Sequence, residues 1–222
     1  MQDFTWRDGE RVMFLGDSLL SDEHGYAHLI EEMVAARYPD LNITYMVHDM
    51  GGNRISDVFE RLDRDVFDGA PSPTWIGVEL GLNDIWHNAS GTPIGRFRDL
   101  YGTVLRRLLD TKATVVAYTT TVIGEELENE SNREIAYYND AIREIAFGLG
   151  IPVVDMNAAF RDGLQQAQSR GLLDFYYTID GMHLNERGTM LAAMMILRSL
   201  NFSLPTLNYG FYGGQTGEER AA

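Results

Sequence analysis

Two hydrophobic rhythms alternate along this chain. Short continuous apolar runs, Arg11–Leu15, Ile43–Val47, Trp75–Leu80, Ala113–Tyr118 and Ile151–Val154, read as strands buried on both faces. Between them, apolar residues recur every three or four positions, the period of an amphipathic helix. Tyr26, Leu29, Ile30, Met33 and Val34 make the first such stripe, which Pro39 stops. Ile55, Val58, Phe59, Leu62 and Val66 make the second. Phe97, Leu100, Tyr101, Val104, Leu105 and Leu108 follow, then Ile135, Tyr138, Ile142 and Ile145. Further helices are predicted over 158–168 and 185–200, the latter capped by Asn185. Residues 172–184 read as irregular.

Strand and helix alternate five times, without internal repeat or linker. This predicts an α/β fold: a three-layer αβα sandwich around a parallel sheet. Right-handed crossovers leave few topologies, and the flavodoxin-like order 2-1-3-4-5 is the expected one. One domain is expected over 1–204. A tail over 205–222, with Tyr209-Gly210-Phe211-Tyr212, is apolar enough to need a surface to dock on. Its own domain or a neighbouring subunit would serve, and a homo-oligomer is the expectation.

Composition narrows the function. A formal net charge of -15, with Lys112 the only lysine, disfavours nucleic acid and anionic membranes as partners. There is no cysteine, which excludes disulfides, thiolate catalysis and cysteine-ligated zinc. No apolar run approaches the roughly 18 residues of a membrane span. The polar start, Met1 to Arg11, lacks a signal-peptide core, so a cytoplasmic protein is expected. His24 and His28 stand four apart, but no carboxylate completes a metal motif around them, and no metal or cofactor is expected.

The strand ends carry the chemistry. Gly16-Asp17-Ser18-Leu19-Leu20 follows strand one, Gly51-Gly52-Asn53 strand two, and Gly81-Leu82-Asn83-Asp84 strand three. In a parallel sheet all three lie on one edge, where open α/β sheets bind ligands. Asp180-Gly181-Met182-His183, ahead of the last helix, can fold back onto that edge. Each motif alone reads equally well as a cap, a turn or a surface pair. Together, in this order, they resemble the four blocks of the SGNH, or GDSL, hydrolases, over about residues 11–200.

The resemblance implies an SGNH hydrolase fold and a catalytic triad. Ser18 would be the nucleophile, His183 the base and then acid, and Asp180 the group that orients the imidazole. The backbone N–H groups of Ser18 and Gly52 and the side-chain amide of Asn83 would form the oxyanion hole. These residue types suit acyl transfer. A serine hydroxyl needs an adjacent base, a histidine can accept and return a proton near neutrality, and a developing oxyanion needs aimed donors. Asp17 and Asp84 are expected to shape turns by hydrogen bonding rather than to do acid–base work.

Other residues bear on substrate. Trp86 reads as core or as a platform for a sugar or acyl group, His87 as a rim residue, and Arg54 as site-facing or paired with an aspartate. Thr119, Thr120 and Thr121 end strand four on the same edge, and the acidic loop Glu125–Glu130 reads as solvated. The sequence around Ser18 and Asn83 is similar to the branch that contains carbohydrate acetylesterases such as acetylxylan esterases. That branch commonly has Ile-Thr where this chain has Leu19-Leu20, and Thr where it has Arg54, so both positions are expected to bear on substrate.

The expected function is therefore a serine esterase releasing small acyl groups, acetyl foremost, from carbohydrate esters through an acyl-enzyme. The alternatives are an acyltransferase, a lipase or thioesterase for longer chains, and a non-catalytic carbohydrate-binding protein on a hydrolase fold. That last reading predicts a missing triad or oxyanion residue, and none is missing from the sequence.

Overall fold

A computed structural model describes residues 3–20, 25–49, 51–68, 71–86, 90–172 and 175–204. The aromatic tail and His87 lie outside the described residues. Five parallel strands, β1 (Arg11–Gly16), β2 (Thr44–Asp49), β3 (Trp75–Glu79), β4 (Thr114–Tyr118) and β5 (Val153–Val154), form one sheet. Their order is β2-β1-β3-β4-β5, as the sequence predicts.

Every residue of β3, and every residue of β1 after Arg11, is buried. This explains their unbroken apolar run: a central parallel strand has no solvent face. Gly16 is required where β1 meets β3. A methyl group there would come within 2.7 Å of the Glu79 carbonyl oxygen and 2.9 Å of Leu20 Cδ1.

The helices are α1 (Tyr26–Arg37), α2 (Ile55–Leu62), α3 (Leu82–Trp86), α4 (Ile94–Asp110), α5 (Glu130–Gly148), α6 (Met156–Ser169) and α7 (Glu186–Ser199). Helices α1, α6 and α7 pack together on one side, and α2, α4 and α5 on the other. Each layer buries the predicted stripe, for example Phe97, Leu100, Tyr101, Val104, Leu105 and Leu108 of α4. Asn185 caps α7 as expected, its side chain accepting from the Arg187 and Gly188 N–H groups. At the sheet end remote from the motifs, Phe4 stacks on Tyr38 and meets Phe202 edge-on, and Thr5 N–H donates to the Leu200 carbonyl. The first residues are thereby fixed to the end of α7.

Along the backbone the structure differs from the sequence reading in three places. Leu82–Trp86 is a short helix rather than a turn, so Asn83 stands in its first turn. The second stripe continues beyond Leu62 as a π-turn over Asp63–Phe67, which keeps Val66 buried. Leu19 and Leu20 are buried core residues, because the turn after Asp17 drives both inward. Among the described residues, no helix is long and apolar enough to cross a membrane.

Candidate active site

The edge at the carboxyl ends of β1, β2 and β3 is held together by carboxylates. Asp17 Oδ1 accepts the Leu19 N–H at 3.1 Å, an Asx turn that sets the path of the chain around half-buried Ser18. Asp17 Oδ2 accepts Asn83 Nδ2 at 2.9 Å. One N–H of the Asn83 amide is thereby committed, and the second remains to be aimed. Asp84 works one residue further on. Its oxygens accept the Ile55 N–H at 3.0 and 3.2 Å, which pins the start of α2, and with it the Gly51–Arg54 loop, to the end of β3. Both aspartates shape loops, as the sequence predicts. Burial pushes Asp84 up to about 6, against the lowering pull of hydrogen bonds from Thr92 and the Ile55 backbone.

Gly52 has φ of 78°, a backbone conformation that costs a side-chain-bearing residue strain. Its neighbour Gly51 abuts the serine: a methyl group there would stand 3.8 Å from Ser18 Cβ.

His183 comes from the loop before α7. Its Nδ1 lies 2.6 Å from Asp180 Oδ2. Asp180 Oδ1 accepts the Met182 and His183 backbone N–H groups at 2.9 and 2.8 Å, so the three-residue offset closes into one tight turn. Partial burial raises the Asp180 carboxyl, but the His183 side chain and these two N–H groups outweigh it and hold Asp180 below its ordinary value. The imidazole lies close enough to the β1 end for its charge to act on Asp17. Ser18, Gly52 and Asn83 thus follow the ends of β1, β2 and β3, and His183 is near enough to act on Asp17 beside them.

The loop carrying Asp180 and His183 is anchored by a residue the sequence reading left in solvent. Glu125 accepts the N–H groups of Tyr176, Tyr177 and Thr178 at 2.5, 2.7 and 2.8 Å, and the Thr178 hydroxyl at 2.9 Å. The Gly124 N–H donates to the Gly181 carbonyl at 2.6 Å. A cleft of about 430 Å³ opens between these two loops, lined by Glu125, Leu164, Phe175, Tyr176 and Asp180 among others.

The residues expected at the rim separate into two kinds. Trp86, at the end of α3, is 43% exposed and is not a core residue. Arg54 is engaged: Nε lies 3.3 Å from Asp57 Oδ2, and a terminal nitrogen donates to the Ser90 carbonyl at 2.5 Å. The aspartate partner weighed for it is the observed one. Thr119, Thr120 and Thr121 are buried in a network with Asn139, Asp155 and Asn157 rather than facing a cleft.

The chain belongs to the GDSL-like Lipase/Acylhydrolase family, which matches residues 14–191. It is a carboxylic ester hydrolase of that family.

Its relatives include an acetylxylan esterase of Geobacillus stearothermophilus, 26% identical over 216 residues, spanning 87% of this chain and 95% of the relative. The crystal structure of the acetyl xylan esterase AlAXEase superposes with a TM-score of 0.78 at 26% identity, covering 85% of this chain and 98% of that one. An alpha/beta hydrolase from the metagenome of Lake Arreo, Spain, shares the fold with a TM-score of 0.80 at 20% identity, covering 90% and 99% of the two chains.

Proposed function

We propose that this protein removes small acyl groups, acetyl foremost, from esterified carbohydrates through a Ser18–His183–Asp180 triad. The observation that carries the reading is the 2.6 Å contact of His183 Nδ1 with Asp180, with the Asn83 amide held by Asp17 beside Ser18 as support. With Nδ1 committed to Asp180, Nε2 is the nitrogen left to exchange a proton with substrate.

In the first step Ser18 Oγ bonds to the acetyl carbonyl carbon and its proton passes to His183 Nε2. The carbonyl oxygen becomes an oxyanion, met by the backbone N–H groups of Ser18 and Gly52 and by the second N–H of Asn83. Collapse breaks the ester C–O bond, and the departing sugar hydroxyl takes the proton from Nε2. Water then attacks acetyl-Ser18 by the same route, releasing acetate and restoring the serine. Asp180 stays ionised throughout, which suits its lowered carboxyl.

The substrate side of the reading draws on exposed apolar side chains. Trp86, Phe175 and Ile179 are 43%, 57% and 59% exposed, more than core apolar residues allow. The flat aromatic faces of Trp86 and Phe175 suit sugar rings. The acetylxylan esterases among its relatives support the same substrate class.

The test is acetate release from acetylated xylo-oligosaccharides, compared with p-nitrophenyl acetate, butyrate and octanoate. Acetyl substrates should be turned over fastest, and Ser18→Ala should abolish release. A preference for octanoate, or full activity without the Ser18 hydroxyl, would overturn the reading.

A further inference from the structure

Beside Asp17 lies a second carboxyl that none of the steps above uses. Glu79, the last residue of β3, is 2% exposed, and apart from Asp17 neither of its oxygens has a hydrogen-bond partner. It sits directly across the sheet from the end of β1, its own carbonyl packed on Gly16. The Asp17 carboxyl, 1% exposed, lies against it.

The surroundings offer the pair almost no positive charge. Tyr26 on α1, Tyr101 on α4 and Tyr118 on β4 face Glu79, and each hydroxyl is buried without a partner. Asp49, at the end of β2, adds a further negative charge toward Asp17. Among the described residues that act on the pair, only His183 can carry a positive one. Two ionised carboxylates in contact, both buried, repel strongly and are poorly solvated. A single proton between them removes one charge and supplies the missing donor.

Asymmetry decides which carboxyl holds that proton. Asp17 already accepts Leu19 N–H and Asn83 Nδ2, and both bonds favour its charged form. Among the described residues, the Asp17 backbone N–H alone favours a charged Glu79, and burial with the neighbouring Asp17 charge outweighs it.

We propose that Glu79 is a protonated carboxylic acid in the working protein and donates to Asp17, which stays charged and holds the Asn83 amide in its oxyanion-binding orientation. Glu79 is thus a positioning residue acting through Asp17 and Asn83. Burial first, and then the Asp17 charge and hydrogen bond, push Glu79 well above the ordinary carboxylate range, in keeping with this assignment. The catalytic consequence rests on the triad reading given above, whereas the protonation state does not.

The experiment therefore has two arms. Infrared difference spectroscopy of the wild-type protein near neutral pH should show the C=O stretch of a protonated carboxylic acid, lost in Glu79→Gln. Absence of the band, or its survival in that variant, overturns the proposal whatever the enzyme's activity. In the kinetic arm, Glu79→Gln keeps an N–H donor toward Asp17 and should retain kcat within about threefold. Glu79→Met has the bulk without the donor and should lose about tenfold or more in kcat, with KM little changed, since small misplacements of a reacting group have costs of this size. The wild-type rate should decline at alkaline pH as the shared proton is lost, and the Gln variant should lack that decline. Wild-type kcat in Glu79→Met, or a Gln variant as slow as the Met variant, would overturn the positioning role. Ser18→Ala tests the triad separately, so failure of one reading is visible apart from failure of the other.

Discussion

Asn83 donates its side-chain amide to Asp17 Oδ2 across 2.9 Å, joining the ends of β1 and β3. Asp17 also sets the turn around Ser18 through Leu19. One carboxylate thereby fixes both the path of the chain at the serine and the direction of the Asn83 donor. Asp17→Asn leaves a single side-chain oxygen for two donors. It is expected to lower kcat by about 10- to 100-fold while changing KM little, since loss of one oxyanion donor has an effect of this order. Steady-state kinetics on p-nitrophenyl acetate, beside thermal unfolding, will check it. Unchanged kcat would mean that Asn83 needs no second anchor.

Glu125 is expected to matter although it stands far from Asp180 in sequence. Glu125→Ala strands three backbone N–H groups and a hydroxyl in the 176–178 segment. Each buried unsatisfied donor costs roughly 1–3 kcal/mol, less where water can enter. The variant should lose about 2 kcal/mol of stability in urea unfolding, and kcat should fall as the Asp180–His183 turn loosens. Wild-type stability would show that the loop holds itself.

Asp84 gives a signed pH effect. Its carboxyl is raised in the folded chain to about 6 from an ordinary 3.8. Its protonated form therefore favours folding. That contribution is complete below about pH 3.8 and is lost as pH rises through about 6. The whole change is on the order of 3 kcal/mol or less. Asp84→Asn should remove this downward slope, so its stability relative to wild type rises between those two values. Urea unfolding at several pH values will check the difference. A constant difference across the window would exclude Asp84 as its source.

Trp86 separates sugar binding from chemistry. Because it is 43% exposed, Trp86→Ala should cost less than a core tryptophan, about 1–2 kcal/mol of stability. KM for acetylated xylo-oligosaccharides should rise about tenfold, as expected for loss of an aromatic platform worth about 1 kcal/mol or more. The rate on p-nitrophenyl acetate should hold. Equal losses on both substrates would place Trp86 in the acyl site instead.

The architecture was legible because β1, β3 and β4 are buried runs and the stripes of α1, α2, α4 and α5 keep a helical period. The strand-end motifs then fell on one edge by topology alone. What escaped depends on neighbours remote in sequence. Helix α3 has five residues, too few for a period to register. Leu19 and Leu20 adjoin Ser18 in sequence, yet the turn made by Asp17 sends them into the core. Glu125 sits in a run of acids whose composition says solvent, and only the approach of residues 176–178 gives its carboxylate a task. Glu79 looks like a polar strand end, and its burial becomes visible only once β1 and β4 flank it.

The central claim is that Ser18 attacks the acyl group. Labelling with a fluorophosphonate, followed by intact-mass measurement and peptide mapping, tests it most directly. One adduct per chain, on Ser18, with loss of esterase activity in step, is the predicted result, and Ser18→Ala should take up none. An adduct on another residue, or esterase activity that survives full labelling of Ser18, would contradict it.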